Sequence, residues 1–329
     1  MNYWDVRTYQ DFRKFAGDSM VLDSRDESTA VPETQDGIAV ITLKNWRLLE
    51  PLLYTMVEMS HALFRGVECS DYSLTPSMFR RYAFQHMPTI EEKNAYIESC
   101  YNHFLQAIRG RRGPLSKPLE TYHKFEIWSL GRHYGVSNTM LDWSHSPWIC
   151  LFFAFAHRSV DNLRSLYCLK QNTIVAAQEK TSSAEAGQKG AEGKKEDDIL
   201  LTDAPCYDSL LFYTPLSDDN FRMINQQGIF TVSKSPHSIE EWVSHNYLQV
   251  RRYLEQELDH AASSKARERF ALDLKSGWIL LKINIETNGD DRKQILRALN
   301  RMNINYANLF PDVEGASLYA DMQGDIHHY

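Results

Sequence analysis

The sequence predicts an α+β fold, a single mixed-sheet domain packed with several helices. Short strand-like apolar runs and segments of helical period alternate irregularly along it, with neither βαβ regularity nor an internal repeat. The stretch "PWICLFFAFA" is apolar almost all round, the pattern of a helix enclosed by other elements. Over 329 residues, 43% hydrophobic and 24% charged positions are enough to bury a substantial core.

The elements follow in chain order. "VRTYQDFRKFAG" has the spacing of a short amphipathic helix stopped by Gly17, and the polar "DSRDESTAVPETQDG" after it reads as a loop, so residues 1–36 form an N-terminal helix and loop. "IAVITL" is a short strand, "NWRLLEPLLYTMVEMS" a helix interrupted or started by Pro51, and "HALFRGV" a second strand closed by Gly66. From Thr89 a helix is expected. Thr89 and Glu92 have capping-box spacing, and Tyr96, Cys100, Phe104 and Ile108 recur every four residues. After the basic loop "RGRRGPLSKP", another helix leads to Gly131. Ser146 is a good N-cap and Pro147 fits the first helical position, so the apolar helix begins there and places Asp142, Trp143 and His145 at its N-terminus, where anions are favoured.

Residues 171–199 are rich in Ala, Gly, Lys, Glu and Ser, with almost no large apolar side chain to offset the entropy of ordering, and read as a flexible insertion within a domain spanning 37–329. Beyond it come a strand at "SLLFYTPL", a helix and strand at "DNFRMINQQGIFTVS", and a capped helix from Ser238 with Glu241 at the capping-box position. A long charged helix then reaches roughly Leu274. "GWILLKINI" is a strand, "DDRKQILRALNRM" a helix, and "ANLFPDVEGASLYADM" a loop turning into a last helix.

Composition excludes several functions. A net charge of -7 argues against general nucleic-acid binding. Five scattered cysteines without CxxC spacing read as reduced thiols, the N-terminus has no cleavable apolar core, and no apolar run is long enough to span a bilayer, so a cytoplasmic, non-membrane protein is expected. No Gly-rich phosphate loop, HExxH, GxSxG or DxDxDG occurs, and the histidines show no metal-ligand spacing, so no metal is expected.

The polar residues beside the apolar helix carry two readings each. Arg65 suits a phosphate or carboxylate through its planar fork, or serves a buried acid such as Asp142. His133 and Tyr134 can orient a ribose or a leaving base, or pack at a helix C-terminus stopped by Gly135. Trp143 can stack a ring or fill the core. Gln227 stands in a tight turn with Gln226 and Gly228. Asp312 has the position of a helix cap, with Glu314 in the first turn behind it.

Four blocks in order, "ALFRGV" with "LTPSMFRR", "RHYGVSNTMLDWSHSPWICLFFAF", "RMINQQGIFTV" and "LFPDVEGASLYA", resemble the signature blocks of FRG-domain proteins, named for the tripeptide at Phe64, Arg65 and Gly66. The resemblance covers roughly residues 40–320. It departs at Arg132, where the family usually has Gln, and at Asn138 and Thr139, where it usually has Thr-Arg. FRG domains occur in bacterial and phage proteins, often near defence or toxin modules. Their layout is similar to that of ADP-ribosyltransferases. The resemblance thus implies an effector acting on NAD as a substrate, with no tightly bound cofactor. Arg65 and Glu314 would then be catalytic, and His133, Tyr134, Asp142, Trp143 and Gln227 would bind the substrate. The rival reading is a non-catalytic module binding a ligand or a protein partner, with the same blocks holding the fold.

Overall fold

A computed structural model describes residues 20–22, 36–50, 52–53, 62–111, 118–158, 162–186, 199–201, 210–215 and 221–327. In chain order its elements are β1 (Met20–Leu22), β2 (Ile38–Leu43), β3 (Ala62–Val67), α1 (Tyr82–Gln85), α2 (Ile90–Ala107), α3 (Lys124–His133), β4 (Met140–Ser144), α4 (Pro147–Ala156), β5 (Leu163–Lys170) and α5 (Gln171–Ala186). There follow β6 (Leu211–Tyr213), α6 (Phe221–Asn225), β7 (Gly228–Val232), α7 (Ile239–His260), α8 (Ser264–Ser276), β8 (Leu280–Glu286), α9 (Asp291–Arg301), α10 (Tyr306–Leu309) and α11 (Val313–His327). The fold is α+β with mixed strand pairing. Its contacts group into two compact units, one drawn from Met1–Tyr72, Ser144–Gly190 and Val243–Tyr329, the other from Ser73–Trp143 and Ala191–Trp242.

In the first unit the strand order is β1-β2-β8-β5-β3, with β2 and β8 parallel and the other neighbours antiparallel. Alternation along each strand separates two faces. One face presents Ala39, Ile41 and Leu43, then Leu281, Ile283 and Ile285, then Leu166 and Cys168, then Ala62 and Phe64, all in one core cluster with α4. Eight of the ten residues of α4 are buried, because α9, α10 and α11 join the same cluster through Leu296, Tyr306 and Met322.

A helix so enclosed cannot leave its terminal carbonyls to water. Ser146 caps its start, accepting from the Ile149 N–H at 3.4 Å, with Pro147 as the first helical residue. At its other end Arg164 Nη1 donates to the Ala154 and His157 carbonyls at 2.7 and 3.1 Å. Arg292 donates through Nε to the Phe155 carbonyl at 2.9 Å and through Nη2 to that of Ala156 at 2.7 Å. The α4 backbone also lies directly on β3. A Cβ added at Gly66 would stand 1.8 Å from the Cys150 carbonyl oxygen, so this position excludes any side chain.

The second unit holds β4, β7 and β6, with β6 and β7 antiparallel, packed with α1, α2, α3 and α6. Its core centres on Trp128, fully buried, whose ring meets Tyr101 edge-on at 5.8 Å and whose indole N–H donates to Thr139 Oγ1 at 3.4 Å. Asn138 is the polar joint of this core, donating to the Trp128 carbonyl at 2.8 Å and accepting from the Met140 N–H at 3.1 Å.

Several expectations change. Asp142 and Trp143 are residues of β4 and not of the turn that opens α4, because the strand runs on to Ser144. The long charged helix is two, α7 and α8, the second capped by Ser263. Residues 20–22, read as loop, pair with β2. The first part of the stretch read as a flexible insertion is the helix α5, anchored by buried Ile174 and Ala177 at i, i+3 spacing and joined to α7 by a Lys180–Glu257 ion pair. Residues 187–198 of that stretch and the expected N-terminal helix lie outside the described residues.

Gly66→Ala is expected to cost ~3 kcal/mol or more, since a methyl group would meet a backbone atom that cannot turn aside. Gly135→Ala, whose added Cβ meets nothing within 4 Å, should cost only the strain of its positive φ of 85°. Urea denaturation of the two variants checks the contrast, and equal losses would refute the strand–helix contact as the cause.

Candidate functional site

The polar cluster of the second unit is built where α3 ends and β4 passes. The stop of α3 is a Schellman motif. The Val136 N–H donates to the Gly131 carbonyl at 2.9 Å and the Gly135 N–H to that of Arg132 at 3.2 Å, with Gly135 at a φ of +85°. This turn sets Arg132, His133 and Tyr134 on three different courses. Arg132 Nε and Nη2 both donate to Asp142 Oδ2, at 3.0 and 2.8 Å, and its Nη1 approaches Ser77 Oγ at 3.5 Å. The neighbouring carboxylate holds the Arg132 guanidinium above its ordinary pKa. Arg132 is thus a partner of Asp142 that the sequence reading, which had considered only Arg65, did not foresee.

His133 points inward. Its ring meets Phe230 edge-on at 6.0 Å, and its Nε2 is buried with no hydrogen-bond partner. Burial lowers its pKa to about 4, with Arg222 and Arg132 pushing the same way and the Asp142 charge opposing them. The imidazole is therefore neutral at neutral pH. Arg222, on α6, donates to the His133 carbonyl at 3.4 Å and lies over the Tyr134 ring at 5.7 Å, and Tyr134 is 71% exposed. Sequence reasoning missed Arg222, which stands five residues before Gln227 in a block it had singled out for its turn.

The other candidates of this unit are held by the fold. Trp143 is buried, and its indole N–H donates to Thr231 Oγ1 at 2.9 Å on β7. Gln227 has a φ of +47° in the turn between α6 and β7, its N–H donating to the Ile224 carbonyl at 3.1 Å.

Arg65 and Glu314 lie in the first unit. Arg65, on β3, stands opposite Tyr167 on β5, and its charge is felt at the Cys150 thiol. Burial outweighs that influence and pushes both Cys150 and Cys168 up to about 12, so neither is a thiolate at neutral pH. Glu314 is exposed in the first turn of α11, while Asp312 Oδ1 caps that helix by accepting from the Gly315 N–H at 2.8 Å. Among the described residues no group of three His, Cys, Asp or Glu stands where it could hold a metal ion, and no helix is long and apolar enough to cross a membrane.

Residues 60–162, from β3 through α4, match the family model of the FRG domain. No curated protein and no solved structure matches the chain.

The environment of His133 predicts a pH dependence. The folded imidazole resists protonation down to about pH 4, whereas in the unfolded chain it protonates near 6.5. Between these values the unfolded state binds the extra proton, so this contribution is complete above pH 6.5 and is lost as pH falls towards 4. His133→Phe should flatten that acid limb by up to about 3 kcal/mol. Urea titrations of both proteins at pH 7 and pH 4.5 check this, and parallel losses would exclude a neutral, buried His133.

Proposed function

We propose that this chain, which carries an FRG domain, is a defence- or toxin-type effector of bacterial or phage origin that acts on NAD in the cytoplasm, by ADP-ribosyl transfer or glycohydrolysis. The observation that carries this reading is the buried Nε2 of His133, left without a partner beside two arginines. A buried polar atom without a hydrogen bond is costly. A ligand oxygen or base nitrogen would satisfy it, while the guanidiniums favour an anionic ligand. Exposed Tyr134, with Arg222 over its ring, supplies an aromatic surface for a nucleotide ring.

In this reading NAD is a substrate and not a resident cofactor. The bond from the ribose C1′ to the nicotinamide nitrogen breaks, and nicotinamide leaves with the electron pair. The oxocarbenium left behind is stabilised by a carboxylate, the role proposed for Glu314, until water or an acceptor group adds and gives up its proton. By the family resemblance Arg65, in the first unit, is proposed to hold phosphate or ribose, and His133, Tyr134, Asp142, Trp143 and Gln227, in the second, to bind the substrate.

A second reading is favoured by a different observation. Several signature residues are engaged in packing: Gly66 against the Cys150 carbonyl, Trp143 on Thr231, Asp142 on Arg132. A module that binds a ligand or protein without turnover would need no more.

Incubation of the purified chain with NAD separates the two. Under the first reading nicotinamide is released. Glu314→Gln then abolishes release with the melting temperature unchanged, since Asp312 keeps the helix cap. Full turnover in a folded Glu314→Gln protein would remove Glu314 from the chemistry. Binding of NAD without release would favour the second reading.

A further inference from the structure

The sheet face that receives α4 changes character at one end. On β3, Phe64 and Gly66 turn towards α4, and alternation carried one residue past the strand turns Glu68 the same way. The register that aligns Val67 with Ser165 puts Glu68 beside Arg164 of β5, and the Ser70 N–H still donates to the Leu163 carbonyl at 3.1 Å. Arg164 is the residue that holds the Ala154 and His157 carbonyls, so Glu68 lies at the end of α4.

Two further side chains reach this end. His157 follows α4 directly, its carbonyl pinned by Arg164 and its side chain exposed. Tyr306 opens α10, whose cap Asn305 accepts from the Asn308 N–H at 3.1 Å. The Tyr306 ring is wedged between Phe152 at 5.0 Å and Phe310 at 5.7 Å, with the His157 ring at 6.4 Å. Tyr306 is 6% exposed and Glu68 half-buried. Burial raises the Tyr306 pKa, with Arg292 opposing and the Glu68 carboxylate reinforcing the shift, so both charges stand near its hydroxyl. Among the described residues no hydrogen bond joins the Glu68 carboxylate, the His157 imidazole or the Tyr306 hydroxyl to the protein. The cations around them are committed elsewhere, Arg164 and Arg292 to the carbonyls of α4 and Arg158 to Asp325.

We infer that Glu68, His157 and Tyr306 form a binding site for the hydroxyl groups of a sugar ring. A carboxylate accepts from two adjacent hydroxyls at once through charge-assisted hydrogen bonds, and a phenol and an imidazole each donate or accept one more. The exposed His157 ring adds a flat surface for the C–H face of the sugar. Glu68 disfavours an anion here and the surrounding arginines disfavour a cation, so a neutral polyhydroxyl ligand suits the balance of charge. Tyr306 is held by the rings around it, which fixes its hydroxyl before a ligand arrives. The inference stands on register and ring packing and does not depend on NAD turnover.

The test offers ribose, glucose, adenosine and inorganic phosphate separately to the full chain, at matched ionic strength, with binding followed by saturation-transfer NMR. At least one of the three sugar-bearing probes should bind. Its affinity should fall about fivefold or more in Glu68→Gln and in Tyr306→Phe, each of which keeps the shape of the side chain and the melting temperature of the parent. Binding of ribose and adenosine together assigns the site to a pentose, adenosine alone to the ribose of a nucleoside, and glucose alone to a hexose; each supports it. Silence from every sugar-bearing probe, phosphate as the only probe bound, or affinity unchanged in Glu68→Gln overturns it. A melting temperature several degrees lower in Tyr306→Phe would show that the hydroxyl serves the fold, which also overturns it.

Discussion

The contact between the backbone of β3 and the backbone of α4 is the constraint from which the first unit follows. Because Gly66 has no side chain, the helix settles onto the strand at a distance that leaves no room for even a Cβ beside the Cys150 carbonyl. A helix this close to a sheet must be apolar on the near side, and α9, α10 and α11 make the same demand on the far side. With no polar side chain within α4 to satisfy its ends, the task passes to Ser146 at one terminus and to Arg164 and Arg292 at the other. Two arginines so close to a buried cluster are tolerable because their donors meet carbonyls that would otherwise be stranded. Asp325 accompanies Arg292 at 3.6 Å.

The same logic runs differently in the second unit. There the turn after α3 follows directly on a guanidinium and an imidazole that are neighbours in sequence, and the two meet the carboxylate of Asp142 differently. Arg132 takes it with two donors. His133 keeps a buried ring against Phe230 and loses its affinity for a proton, since burial and both neighbouring arginines oppose a second positive charge. The result is a neutral imidazole beside the Arg132–Asp142 pair and Arg222, an arrangement that can accept or donate one hydrogen bond without a proton transfer at neutral pH.

The family blocks read from the sequence turn out to combine packing and polarity. Phe64 fills the core, Arg65 faces the other side of the sheet, and Gly66 admits α4, so three consecutive residues serve three purposes dictated by strand alternation. In the second block, Asp142 and Trp143 likewise diverge along β4, one to an ion pair and the other to a hydrogen bond on β7.

By itself the sequence determined what is encoded within one or two turns of chain. The bounds of β2, the place of β3, the caps at Thr89, Ser146 and Ser238, the Gly135 stop and the enclosed character of α4 were legible because periodicity and capping are local, and the first two of the four blocks fall within the residues that match the FRG-domain model. Only the tertiary structure decided which charges meet. Arg132 and Asp142 are brought together by a tight turn and a strand. Lys282 reaches Tyr167 from more than a hundred residues away because β8 lies beside β5. The helix α5 was hidden for a similar reason: a segment poor in large apolar residues is ordered when one isoleucine and one alanine find a core that other parts of the chain provide. Periodicity tells a residue which way to face, but strand register and packing supply the neighbour it faces, and that neighbour sets burial, charge and pKa.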